Sequence, residues 1–385
     1  MSAPAPSATP VSVDDPTNAA ILRIAEDQLA GFAPDPLADL AQRAALPRDT
    51  VVDRLVAMLD AGTVRRIRQT LITTSLARGA LVAWRVPTDQ LNAAFDFMFQ
   101  ADPFTGHVVT RSTDRDSPGS DYKLWTTVKL PPHASLDKHC AYLAHRTGAT
   151  GYIPLPAKEL FALGVGHLRR RTIAPGERTP DPARVLDTRV VELTPDQWRV
   201  VEAMKREVTA AELDAARDPA QTLWRQRAHA ADLPLDDFLA QGHALDQLGV
   251  IGRFSAFLEH VKKHQDGKPV TRYNALFHWR VPQGREHEAG LEVGRHVCMT
   301  HAYWREGGQA FNHVNLMGVC HGLDKQLVLD HKAAIDQHLE EAGMPVSYTN
   351  VFWGGRSEIK PSEFLPSAHD AWCHAQGLDP QDMRA

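Results

Sequence analysis

Apolar positions along the chain recur with two periods, one helical and one of strand type, and the alternation is written twice. Ile21, Ala25, Gln28 and Leu29 form a loose helical stripe. Asp35 is placed to cap a second helix, with Pro36 in its first turn and Leu37, Leu40, Ala41 and Ala44 on its apolar face. Leu46-Pro47 turns into a third helix lined by Val52, Leu55, Val56 and Leu59; Gly62 ends it and VRRIRQTLI reads as a strand. Three helices and a wing predict a winged helix-turn-helix. The pattern then changes. GALVAWRVP reads as a strand, TDQLNAAFDFMFQ as a helix, and GHVVTRST and DYKLWTTVKL as strands. SLDKHCAYLAHRTG is a helix capped by Ser135, and TGYIPLP a last strand, which gives the β-α-β-β-α-β order of a ferredoxin-like domain.

The same order returns in the second half. WRVP stands at Trp84–Pro87 and at Trp279–Pro282, and a glycine-ended helix precedes each copy's wing, with Gly62, Val64 and Arg66 matched by Gly249, Ile251 and Arg253. RYNALFHWRVP, REHEAGLEVG, RHVCMTHAYWR, FNHVNLMGVCH, a helix from Asp324 to Glu341 and PVSYTNVFW repeat the second module. The expected fold is therefore α+β: a tandem repeat of winged helix-turn-helix plus ferredoxin-like domain, paired as an intrachain pseudo-dimer. The boundaries read as a flexible tail (1–17), winged helix 1 (18–75), ferredoxin-like domain 1 (76–171), a proline-rich linker (172–190), winged helix 2 (191–265), ferredoxin-like domain 2 (266–366) and a tail (367–385).

Composition narrows the function. The 385 residues are 43% hydrophobic and 23% charged, which excludes wholesale disorder. With 42 Lys and Arg against 47 Asp and Glu the net charge is -5, a poor balance for gripping phosphate backbones. The helix expected to read DNA in copy two, PLDDFLAQGHALDQLG, carries Asp236, Asp237 and Asp246 and no Lys or Arg, so DNA binding is argued against. Its counterpart in copy one sets Arg48 and Arg54 against Asp49, Asp53 and Asp60, leaving the wing residues Arg65, Arg66 and Arg68 as the contrary signal. Four cysteines without CxxC pairing suit a reducing cytoplasm. No apolar run approaches the roughly 18 residues of a membrane span, and the first residues do not read as a signal peptide.

Strand periodicity groups the candidate chemistry. His301, Tyr303 and Arg305 share one strand face, and Asn315, Met317, Val319 and His321 share another. Setting VTRSTDR against MTHAYWR places Arg111 opposite His301 and Arg115 opposite Arg305; setting YKLWTTVK against VNLMGVCH places Lys129 opposite His321. Lys123 and Trp125 share the Lys129 face. Copy one thus offers fixed cations and an indole where copy two offers imidazoles. Taken singly, a strand histidine is more often a core residue than a functional one. Matching polar positions on adjacent strands in both copies shift that balance. His133, His139, His145, His260 and His264 read as surface, HLRRR (His167–Arg171) as a solvated basic run, and His296, His301, His313 and His321 as a weak zinc candidate without typical spacing.

With the wing ending in Arg65-Arg66, the W-x-V-P strand ends, THAYWR (Thr300–Arg305) and VNLMGVCH (Val314–His321), the chain resembles the Lrp/AsnC-like siroheme decarboxylases of heme b and heme d1 biosynthesis, with two subunits fused. It departs at Val314, where that branch carries tyrosine, and at Gly318, where it carries threonine. The resemblance implies a cytoplasmic carboxy-lyase that removes acetate carboxyls from siroheme or a related tetrapyrrole. It would need no separate cofactor, because the substrate brings its own iron. His301, His321 and Tyr303 would be the acid/base or iron-facing groups; Arg305, Arg111, Arg115, Lys129, Lys123, Trp125 and Asn315 would hold the substrate. No metal site of the protein's own is expected. A second decarboxylase pair or a homo-oligomer is an expected partner. The rival expectations are an Lrp/AsnC-type transcription regulator and a non-catalytic heme or tetrapyrrole sensor or carrier.

Overall fold

The computed structural model describes residues 9–385 apart from 27, 164–172, 182, 184, 186–188, 259–272 and 323. His167–Arg171, His260 and His264 lie outside the described residues. The chain forms two compact units, each built from both copies: residues 1–76 with 191–262, and residues 77–190 with 263–385.

In the first unit, helices Pro16–Ala25, Pro36–Ala44 and Arg48–Asp60 lead into the strand Val64–Leu71. Asp15 and Asp35 cap the first two through their carboxylates, as the capping chemistry of acidic residues dictates. Copy two supplies Pro195–Lys205, Ala210–Ala215, Leu223–Ala230, Leu235–Gln247 and the strand Ile251–Leu258. The helix Ala210–Ala215 had no distinct apolar stripe to betray it; a capping box between Thr209 and Glu212 starts it. The expected separate wings are not what forms. Val64–Leu71 pairs antiparallel with Ile251–Leu258, and Leu29–Ala30 adds to the other edge of the latter. Each of the two strands expected as wings is a single strand with an edge satisfied by the other copy.

The second unit holds a nine-stranded sheet. Its order is Gly151–Pro156, Arg78–Arg85, Leu124–Leu130, Thr105–Ser112, Tyr348–Ile359, Tyr273–Arg280, Leu316–Gly322, Met299–Trp304, Glu159–Leu163. The first four strands belong to copy one and the next four to copy two, each in ferredoxin-like order. Helices Leu91–Gln100 and Leu136–Thr147 cover one half; Glu286–Gly294 and Lys325–Glu341 cover the other. The last strand of each copy is shared. Tyr348–Ile359 pairs with its own Tyr273–Arg280 through its first half and with copy one's Thr105–Ser112 through its second. Copy one reciprocates: Gly151–Pro156 pairs with Arg78–Arg85, and after two residues Glu159–Leu163 pairs with copy two's Met299–Trp304. The two ends of the sheet are therefore consecutive in the chain.

Among the described residues, three apolar clusters follow in this unit. Two lie between each half's strands and its helices, around Trp84 and Trp279. The third joins the halves face to face through Ala83, Val109, Trp125 and Leu155 against Leu276, Phe311, Met317 and Phe352. Residues 367–385, expected as a tail, contain most of a further helix, Pro366–Ala375, whose Trp372 and Cys373 complete the cluster around Trp84.

Candidate functional site

The face-to-face cluster fixes which side chains meet. Equivalent strands begin from the two WRVP motifs, so Ala83 in copy one corresponds to His278 in copy two. Ala83 stands opposite Trp125, and His278 opposite Met317, which makes Trp125 and Met317 counterparts. Val109 pairs with Trp125 as Tyr303 pairs with Met317. The counterparts are therefore His107 with His301, Val109 with Tyr303 and Arg111 with Arg305. This corrects the expected alignment: Arg111 does not answer His301, and Arg115 does not answer Arg305. The similarity of VTR to MTH had drawn the strands out of register. Lys129 does answer His321, and Lys123 answers Asn315, as expected.

Both arginines point into the space between the halves and are almost wholly enclosed, Arg111 at 6% and Arg305 at 7% exposure. Arg111 donates to the Phe352 carbonyl at 3.1 Å and to Asn274 Oδ1 at 3.5 Å. Arg305 donates to the Leu155 carbonyl. Phe352 and Leu155 occupy matching places on the two shared strands, so each guanidinium is anchored by the other copy's backbone. Neither has a carboxylate within ion-pair distance among the described residues, and the Nε of each is buried without a partner. Burial lowers Arg111 to about 9 and Arg305 to about 10, so both remain cationic at neutral pH.

The histidines stand beside them. His301 Nδ1 lies 3.1 Å from Thr300 Oγ1, and His321 Nδ1 lies 3.5 Å from the same hydroxyl. That hydroxyl gives its proton to the Val319 carbonyl at 2.9 Å, so at the shorter contact the His301 ring donates from Nδ1, which makes Nε2 the nitrogen that exchanges a proton. A register shift between Met299 and His301 brings these groups together. The His301 ring stacks on Tyr303 at 5.9 Å between centroids, and the Arg305 guanidinium sits 4.4 Å above the phenol. Burial pushes the Tyr303 hydroxyl up, against the pull of Arg305. Across the space, His107 bonds Ser357 Oγ at 2.8 Å; burial, with the charges of Arg111 and His301, holds it down at about 4. His107 was not among the expected residues. Its signal was in the sequence: H-x-V-x-R at His107–Arg111 repeats H-x-Y-x-R at His301–Arg305.

Other expected site residues lie elsewhere. The strand ends at Ser112, and Arg115 is exposed in the loop beyond it. Asn315 is buried and spent on structure, accepting from Val281 N and donating to the Val281 carbonyl and Glu286. Trp125 is fully buried beneath the site, with Nε1 on the Tyr122 carbonyl and its ring among Phe311, Phe352 and His278. Lys123 reaches Thr88 at 3.5 Å. Lys129 is half-buried and lowered by that burial. The zinc quartet does not gather: His296 bonds His338 at 2.8 Å, away from His301, and His313 is exposed. His139 is not on the surface but fully enclosed against Asp102 at 3.4 Å.

Residues 76–162 match the AsnC-like ligand binding domain family. The chain is 25% identical to the siroheme decarboxylase of Hydrogenobacter thermophilus over 307 residues, which covers 78% of this chain and 82% of that protein. It is 25% identical to the siroheme decarboxylase NirDL subunit of Paracoccus denitrificans over 280 residues, 71% of this chain and 74% of that one. Its fold is similar to the crystal structure of the siroheme decarboxylase NirDL, with a TM-score of 0.65 at 20% identity over 93% of this chain and 97% of that chain. A structure of NirDL in complex with an iron-uroporphyrin III analogue gives the same TM-score at 19% identity, with the same coverage. The resemblance read from the sequence thus stands.

Proposed function

We propose that this protein is a siroheme decarboxylase, removing acetate carboxyls as CO2 from an iron tetrapyrrole in the space between its two halves. The observation that carries the reading is the pair of enclosed guanidiniums, Arg111 and Arg305, with no carboxylate of their own among the described residues. An unanswered buried cation costs several kcal/mol, and a polycarboxylate substrate supplies the missing anions in bidentate form. The sequence likeness to two siroheme decarboxylases supports siroheme as that polycarboxylate.

The chemistry suits the neighbours. Breaking the bond between an acetate methylene and its carboxyl carbon releases CO2 and leaves an electron pair, which the macrocycle takes up. The methylene carbon then needs a proton to become a methyl. His301, oriented through Nδ1 by Thr300, delivers that proton from Nε2 of its imidazolium form and regains it from solvent, with Tyr303 beside it and His321 either sharing the proton or facing the substrate's iron. His107, neutral in the free protein, gains a proton more readily once a carboxylate lies next to it. Lys129 binds a peripheral carboxylate. No dissociable cofactor is needed, because the ring system is the electron sink.

Anaerobic incubation with siroheme, followed by mass measurement, tests the proposal. Loss of one CO2 per reacting acetate is expected. Unchanged mass with saturable binding of siroheme would make the protein a tetrapyrrole carrier or sensor instead; unchanged mass without binding would remove the tetrapyrrole from the account.

A further inference from the structure

We propose that His133, His369 and Asp370 bind a divalent transition metal, zinc first among them, which pins the helix Pro366–Ala375 to the copy-one half. One ligand atom from each of the three lies within 4.8 Å of the others, the sole such group among the described residues. His369 has 0% exposure, and its Nε2 has no hydrogen-bond partner. His133 Nε2 and Asp370 Oδ1 are likewise buried atoms without a hydrogen bond, and they stand 3.7 Å apart. That is too long for a hydrogen bond. Two donors that each sit about 2.0–2.2 Å from a tetrahedral zinc stand about 3.3–3.6 Å apart, so a small inward movement of either side chain seats the ion. Buried polar atoms without a hydrogen bond are unfavourable unless something fills the gap beside them, and the His133–Asp370 ion pair at 3.7 Å answers two of them only in part.

The surroundings hold the rings ready. His369 Nδ1 lies 3.7 Å from Cys373 Sγ, one turn along the helix, a contact that orients the ring; in the tautomer with its proton on Nδ1, Nε2 is left for the metal. The His133 and His369 rings meet edge to face at 5.6 Å, and Phe104 packs against His369 at 5.3 Å. The backbone at His133 is tied in turn, with its carbonyl accepting from Ala385 N at 2.9 Å and Ser135 N donating to the Met383 carbonyl at 2.9 Å. Two imidazoles and one carboxylate suit zinc and its first-row neighbours better than magnesium or calcium, which take oxygen donors. His133 and Asp370 are only half-buried, which leaves the fourth position to water. No sequence motif announces the site, because its members come from a turn at 133 and a helix more than two hundred residues later.

Cobalt(II) titration of the full-length, chelator-treated protein tests the proposal. The expected result is one equivalent bound with the visible d–d bands of a four-coordinate ion, displaced by zinc, and a thermal midpoint that zinc raises. His133→Ala and Asp370→Asn alter half-exposed groups and keep the fold, checked by the metal-free thermal midpoint. Each is expected to weaken binding at least about tenfold and to remove the zinc-dependent shift. No cobalt bands in the wild type, or bands and affinity unchanged in both variants, would overturn the site.

Discussion

Arg111 and Arg305 are related by the internal repeat, yet their partners along the strand have diverged: His107 and Val109 accompany the first, His301 and Tyr303 the second. Their mutants are expected to fail differently. His301→Ala should leave siroheme binding intact and slow turnover by about 100-fold or more, the usual worth of a proton donor. Arg111→Ala should weaken binding by about 1.5–3 kcal/mol, read from the substrate's visible absorption. A silent His301→Ala beside an inactive, saturable Arg111→Ala would reverse the roles. Arg111→Met should raise the thermal midpoint of the free protein while it damages binding, since an apolar side chain removes an unanswered buried charge. A lower midpoint would mean that the bond to the Phe352 carbonyl outweighs that relief. Much of this was legible beforehand. His301, Tyr303 and Arg305 share a face by simple alternation and do come together. Arg115 was misplaced and His107 passed over because identity of neighbouring letters, not the H-x-V-x-R spacing, set the alignment. Asn315 was misread because alternation gives a face but not a partner, and Glu286 claims it.

At the level of elements, the β-α-β-β-α-β order was readable, and Ser135 caps its helix where its chemistry puts it. The exchange of final strands was not, because Glu159–Leu163 is five residues long and finds its partner in the other copy. That strand is seated by one close fit: Phe161 lies where a Cβ on Gly290 would stand, 2.1 Å from a ring carbon, and its carbonyl and Cβ crowd Gly294 one turn on. Gly290→Val is therefore expected to lower the thermal midpoint by overpacking, at a cost of about 1–3 kcal/mol. It should also bare the outer edge of Met299–Trp304 and provoke self-association, visible by light scattering. A monomeric variant of unchanged midpoint would show that the strand is held by its backbone pairing alone.

For the whole molecule, two outcomes follow. His278 is enclosed among Trp125, Phe311 and Phe352, with both ring nitrogens unpartnered, and burial with the nearby charge of Arg111 holds it at about 3. Unfolded, it would titrate near 6.5. Between those values the unfolded chain takes a proton that the folded one refuses. Stability present above pH 6.5 is therefore lost as pH falls towards 3, by up to about 1.4 kcal/mol per unit for this group. His278→Leu should flatten a denaturation-versus-pH profile over that range; an unchanged slope would show that other groups dominate. Duplex DNA, by contrast, should not be bound specifically. Arg48 is held by Asp35 and the Ala216 carbonyl, and Arg54 by Asp15, so the two basic groups of the first candidate recognition helix already have partners. Fluorescence anisotropy showing a nanomolar, sequence-dependent complex at physiological salt would contradict this. The reciprocal final strands carry one last consequence, and it is evolutionary. In an assembly of identical subunits, every substitution falls on both sides of the axis at once, so a tyrosine gained at 303 would arrive at 109 as well. Because here each half completes the other's sheet within a single chain, the halves stay in fixed one-to-one proportion while their residues drift apart, and one gene can keep His301 with Tyr303 on one side and His107 with Val109 on the other, a difference that no homodimer could encode.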